Sequence, residues 1–142
     1  MERLSFLIVL LLAITTVCTS CSKEDEKSKI EPTDNLEQFG ILGQWKKVSR
    51  VVNGISSLAV ECCDYIEFSA DSLPTDLRGV FNSNGVGYET IGVFELDDIN
   101  ASIEFVFNDE QILYGIQISE TTIVFDYFEN NDSIVEYWNK ED

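Results

Sequence analysis

The chain has 142 residues, 44% of them hydrophobic and 11% aromatic, which suits one domain around one core and is too apolar for a disordered segment. Its 26 acids against 9 bases give a net charge of −17, a balance that repels phosphate backbones and argues against nucleic-acid binding. Histidine is absent, removing the commonest general base and transition-metal ligand, and no nucleophile-elbow, phosphate-loop or dinucleotide motif occurs.

In chain order, the first feature is Leu4 to Val17 (LSFLIVLLLAITTV), an uncharged apolar run behind Arg3. It falls short of the ~20 residues that a membrane-spanning helix needs, but it suits the core of a secretory signal. Small polar residues follow, ending at Ser20-Cys21. The arrangement resembles a bacterial lipoprotein signal, in which a small residue precedes a cysteine that becomes the first mature residue and carries diacylglycerol and acyl chains. Ser20-Cys21 fits that pattern, whereas Val17-Cys18 puts a β-branched residue where a small one is needed. The resemblance implies a signal peptide over residues 1–20 and a lipid on Cys21 that makes the membrane a partner. Each buried CH₂ of such a lipid contributes about 0.8 kcal/mol, so several acyl chains anchor stably. Ser22-Lys23-Glu24-Asp25-Glu26, directly after the cysteine, resembles the export signal of Bacteroidetes-type surface lipoproteins. It implies an outer-membrane protein displayed on the cell surface, the alternative being the periplasmic face. Residues 21–34 then form a charged, flexible tether containing Pro32.

Residues 35–142 read as one domain. Asp34 is placed to cap a short helical turn over Asn35 to Ile41. Short apolar-alternating runs follow, separated by turn residues: Gln44 to Val52, then Asn53-Gly54, the dipeptide best suited to a tight hairpin. Tyr65 to Ala70 comes next, then a short run from Leu77 to Phe81. Val86 to Leu96 is long and holds Gly87 and Gly92, which predicts a bend or bulge. Ser102 to Phe107, Ile112 to Ile118, Thr122 to Phe128 and Ile134 to Trp138 complete the series. About eight strands at a spacing of roughly 8 to 12 residues predict an all-β fold of consecutive antiparallel pairs. Parallel strands would need longer crossovers, and closing the meander into an up-and-down β-barrel removes its edges.

Gly43-Gln44-Trp45, just after the helical turn, resembles the Gly-X-Trp signature of lipocalins. In that family a short helix closes one end of the barrel and the tryptophan packs over it, which gives Gly43 and Trp45 the role of a barrel-closing signature. The wording is closer still to small bacterial lipocalin-like lipoproteins. Leu42-Gly43-Gln44-Trp45 is followed there by an Asn-Gly turn, a cysteine before the second strand and a Gly-aromatic start near mid-domain, here Gly92-Val93-Phe94. Lipocalins also stack a late arginine on the tryptophan; the late base in this chain is Lys140.

Cys62 and Cys63 are adjacent, with Cys21 assigned to a lipid. A strained vicinal disulfide, a bridge to another chain, two free thiols, or thiol metal or redox work all remain open. Neighbouring Cα atoms lie ~3.8 Å apart, below the usual disulfide range of ~4.4–6.8 Å. Glu61 and Asp64 flank the pair and disfavour thiolates, which argues against a catalytic nucleophile. Acids and amides at Asp97-Asp98-Asn100 and Glu129-Asn130-Asn131-Asp132 lack the spacing of the known calcium loop and sit where turns favour them.

The expectation is therefore a non-enzymatic lipoprotein, without cofactor or metal, that binds a small apolar ligand inside a lipocalin-like barrel. Phe105, Tyr114, Phe125, Tyr127 and Trp138 are the candidate ligand-lining residues, because an eight-stranded interior is either filled by side chains or left open for one small ligand. A filled barrel acting as a structural or adhesive module for a protein partner is the alternative.

Overall fold

The computed structural model describes residues 35–57, 64–73 and 75–142. The signal and tether read over residues 1–34, with Cys21, lie outside the described residues, as do Cys62 and Cys63.

A five-residue helix α1 (Asn35–Phe39) leads into nine strands: β1 (Gly43–Val52), β2 (Ile55–Ser57), β3 (Tyr65–Ala70), β4 (Arg78–Gly85), β5 (Tyr88–Asp97), β6 (Ser102–Phe107), β7 (Glu110–Ile118), β8 (Thr122–Glu129) and β9 (Asp132–Lys140). Every strand from β3 to β9 pairs antiparallel with the next, and β9 returns to β1 from Trp45↔Lys140 to Val52↔Ile134. The result is a closed antiparallel eight-stranded barrel. Short β2 is an extra rung: β3 pairs with Gly43 to Lys46, and β2 takes the same edge of β1 at Arg50 to Val52.

Turn chemistry divides the barrel ends. At one end, tight hairpins put Asn53-Gly54, Asn108-Asp109 and Asn130-Asn131 at positive φ at both central positions, where Asn, Asp and Gly are the tolerated residues. Two of these tips are tied together: Asn53 donates its amide to Asp132 (2.7 Å), and the Ser133 N–H donates to the Asn53 side chain (2.9 Å). The other end carries the longer connections and α1. There Leu36, Ile41 and Trp45 have no exposed surface, and the indole N–H of Trp45 donates to the Ile41 carbonyl at 2.7 Å. Lys140 Nζ lies 5.1 Å above the Trp45 ring and donates to the Gly40 carbonyl at 3.2 Å. The late base thus stacks on the tryptophan and ties down the end of α1.

Two sequence expectations change at the level of elements. The stretch from Val86 to Leu96 contains no bulge: Gly87 makes a hairpin turn, and the β4–β5 ladder runs unbroken from Arg78↔Glu95 to Gly85↔Tyr88. The run read as ending at Phe81 accordingly extends to Gly85. The irregularity is in β1, where the register to β9 slips by one between Lys47 and Ser49 and leaves Val48 as the extra residue.

Candidate ligand-binding cavity

Strand alternation sends every second side chain inward, and the inward set differs between the two halves of the barrel. Toward α1 a layer of the interior is closely packed, with a separate space of about 300 Å³ beside α1 bordered by Phe39, Leu96, Ile116 and Ile118. Phe68, Phe94, Ile103, Ile123 and Phe125 are at most 2% exposed, and Phe68 and Phe94 meet edge to face at 4.9 Å. Toward the hairpin tips the inward residues become mixed, and a cavity of about 230 Å³ remains. Its wall includes Ile66, Phe81, Phe105, Phe107, Ile112, Tyr114, Phe125 and Trp138, with Lys47, Ser83, Tyr88, Thr90 and Glu136 as the polar members. Tyr88 is 44% exposed, so this part of the wall reaches solvent.

Of the five candidate lining residues, Phe105, Tyr114, Phe125 and Trp138 border the cavity. Tyr127 sits behind them, its ring stacked on Tyr114 at 4.0 Å and 8°. Trp45, the other singled-out aromatic, lies at the opposite, closed end.

The charged members follow from the Val48 bulge. Lys47 pairs with Trp138 and Arg50 with Glu136, both inward positions of β9, and two outward residues separate the bases instead of one. Lys47 forms an ion pair with Asp64 and lies 3.6 Å from Glu136 Oε1; Arg50 donates to Glu129 at 2.6 Å and its Nε lies 3.7 Å from the same Glu136 oxygen. Asp64 and Glu136 are buried, at 7% and 8% exposure. Burial works to lower the pKa of Lys47, but its hydrogen bond to Asp64 and the fields of Glu136 and Asp64 outweigh that and raise it. Burial and the Glu136 charge raise the phenols of Tyr114 and Tyr127 above their ordinary value, Tyr127 far above it. Burial and the Asp64 charge also raise Tyr88. These groups form one coupled polar cluster set into an aromatic wall.

Lys47, Asp64 and Glu136 were not among the sequence candidates. Glu136 was within reach, since it alternates with Ile134 and Trp138 on one strand, and Lys47 shares the parity of Trp45. Arg50 was not, because its inward position depends on the bulge.

Of the two acidic turns, Asp97-Asp98-Asn100 is engaged within itself, and Glu129 and Asp132 of the other accept from the Arg50 and Asn53 side chains. The Asn100 amide and the N–H groups of Asn100 and Ile99 bond Asp97, holding its carboxyl below the usual range. Among the described residues no three His, Cys, Asp or Glu side chains are gathered as a metal site would require.

The inward charges are mutually neutralised ion pairs, the wall is aromatic, and the space is that of one small molecule. No protein-family model matches the sequence, and comparison with curated proteins and with solved structures returned no match.

Proposed function

We propose that this chain is a lipid-anchored, non-catalytic binding protein of the outer membrane whose lipocalin-like barrel holds one small, largely apolar ligand. The observation that carries the reading is the 230 Å³ cavity bordered by Phe105, Tyr114, Phe125 and Trp138. Specific small-molecule sites are concave and mainly apolar with a few placed polar groups, and this one is slightly smaller than the ~300–1,000 Å³ typical of drug-sized ligands. The division of the barrel supports it too. The close-packed layer of Phe68, Phe94, Ile103 and Ile123 lies between this space and the α1 end, so the cavity has a floor. Anchoring rests on the residues around Cys21, and surface display on Ser22-Lys23-Glu24-Asp25-Glu26.

Native mass spectrometry of the protein purified from its own host tests the carrier reading. A co-purifying molecule of a few hundred daltons or less is expected; recovery of the bare polypeptide under several extraction conditions would sink it. The anchor is tested separately. Cys21→Ala should abolish labelling by a fatty-acid analogue and release the protein from membranes, and protease treatment of intact cells should digest the wild-type domain.

One feature of the exterior favours the interaction-module reading. Val80, Val93 and Val106 are paired neighbours across β4, β5 and β6, each more than a third exposed, with Ile91 60% exposed beside them. Loss of a captured partner in Val93→Lys, with ligand binding intact, would assign this row to a protein contact.

A further inference from the structure

The polar groups around the cavity divide into those already engaged and those not. Lys47 is paired with Asp64 and lies 3.6 Å from Glu136, and the Nε of Arg50 lies 3.7 Å from the same Glu136 oxygen. Two bases thus meet two buried acids, Asp64 and Glu136. Glu129, which accepts from Arg50, is half exposed and does not border the space. The charges at the wall therefore leave no excess of either sign for an ionic occupant to neutralise. Tyr88 is likewise engaged, bonded to Asp64 and Ser83.

What remains unengaged on the wall is uncharged. Trp138 is 5% exposed and borders the cavity, and its indole N–H is buried without a hydrogen bond. The other described tryptophan shows the same group satisfied, since Trp45 donates to the Ile41 carbonyl at 2.7 Å. An indole nitrogen donates and never accepts, so only an acceptor relieves the cost of burying it. Thr90 and Tyr114 border the same space, and neither hydroxyl has a hydrogen-bond partner among the described residues. Arg50 Nε is also buried and unbonded, but Arg50 is not a wall residue and that nitrogen lies against Glu136.

Each class of occupant meets this wall differently. An ammonium or a carboxylate gives up its hydration to enter among pairs that already neutralise one another. A hydrocarbon fills the volume against Phe81, Phe105 and Phe125 but leaves the Trp138 N–H unbonded. An uncharged molecule with an oxygen acceptor fills the same volume and takes that N–H. A carbonyl suits the wall best, because its second lone pair is free for the hydroxyl of Tyr114 or Thr90. Seating it asks the indole edge to turn toward the occupant, a rotation that no hydrogen bond opposes.

We propose that the cavity selects an uncharged carbonyl compound, a small ketone, ester or lactone, seated with its oxygen on the Trp138 N–H and its apolar body against Phe81, Phe105 and Phe125. This rests on the carrier reading and narrows its ligand class: the occupant is apolar over most of its surface but carries an acceptor.

The test is a set of probes on one skeleton: acetophenone, ethylbenzene, α-methylbenzylamine and benzoate, titrated by calorimetry into the full-length protein in detergent. Each affinity is referred to the probe's own partition into protein-free micelles, which removes the general hydrophobic contribution. On that scale acetophenone is expected to exceed ethylbenzene about fivefold, with both ions below the ketone. The tryptophans supply a direct readout by nitrogen–proton NMR. The Trp138 indole N–H signal should move downfield with acetophenone but not with ethylbenzene, while that of Trp45, already bonded, holds still. Trp138→Phe assigns the signal and should erase the ketone's margin while ethylbenzene still binds. An unmoved Trp138 signal, no margin over ethylbenzene, or preference for either ion overturns the carbonyl assignment, and binding of any of these probes leaves the carrier reading standing. If none of the four binds, the assignment falls, and the co-purification experiment decides the carrier reading separately. The wild-type measurements are decisive alone, so the outcome does not hang on how well Trp138→Phe folds.

Discussion

Phe81 and Phe94 reach the interior because glycines stand opposite them. Phe94 is paired with Gly79 and Phe81 with Gly92, and a Cβ on either glycine would strike the facing ring and a neighbouring backbone carbonyl. At Gly92 the obstacle is the Val106 carbonyl, which the β5–β6 ladder holds in place. Gly92→Ala should therefore cost about 1–3 kcal/mol by overpacking, read as a lower denaturant midpoint at unchanged slope. Protonation supplies a second expectation at this scale. Tyr127, Tyr114 and Lys47 all hold their protons more tightly in the folded chain than at their ordinary values of 10.0, 10.0 and 10.5. Such groups contribute fully below those values, and their contribution is lost as pH rises through the folded ones. Stability should fall on the alkaline side above about pH 10. Tyr127→Phe, which removes the phenol raised furthest, should make that fall shallower in thermal melts taken across the range. An unchanged alkaline slope would mean that Tyr127 does not resist ionisation.

At the scale of elements, α1 is too short to be stable alone, so packing and tethering hold it where it closes the barrel. Lys140 is the tether within reach of substitution, through the Gly40 carbonyl and the face of Trp45. Lys140→Met keeps the stem but loses the charge. It should destabilise the protein by about 1 kcal/mol and speed hydrogen exchange at the Trp45 indole before it affects the β4–β6 amides. Most strands could be read from the sequence because one face is buried and the other wet, so Ile103, Phe105 and Phe107 announce β6 directly. β4 was read short because beyond Phe81 its sequence is Asn82-Ser83-Asn84-Gly85, polar on both faces. Ser83 faces the cavity and Gly85 leaves room for Asp64, so the polarity that hid the strand belongs to the site. The bulge at Val48 was not legible either. Nothing in Lys46-Lys47-Val48-Ser49-Arg50 marks an unpaired residue; the slip shows in the pairing with β9, a partner some 90 residues away. The aromatic wall was thus accessible from alternation, whereas the charged half of the site required the register.

For the whole molecule, most of the charge of −17 falls on residues 35–142, with 20 acids against 5 bases, and few exposed ion pairs offset it. Among the described residues these are Arg50–Glu129 and Arg78–Glu95, the latter at 3.4 Å with both side chains more than half exposed. Pairs of that kind contribute roughly 0–1 kcal/mol each, while the repulsion acts over the entire surface. Added salt shortens the screening length from ~30 Å at 0.01 M to ~8 Å at 0.15 M. It should weaken the long-range repulsion more than the short contacts, and scarcely touch the buried Lys47–Asp64 pair. Raising NaCl over that interval should increase Tm by about 2–5 °C. A falling Tm would mean that the surface pairs outweigh the repulsion.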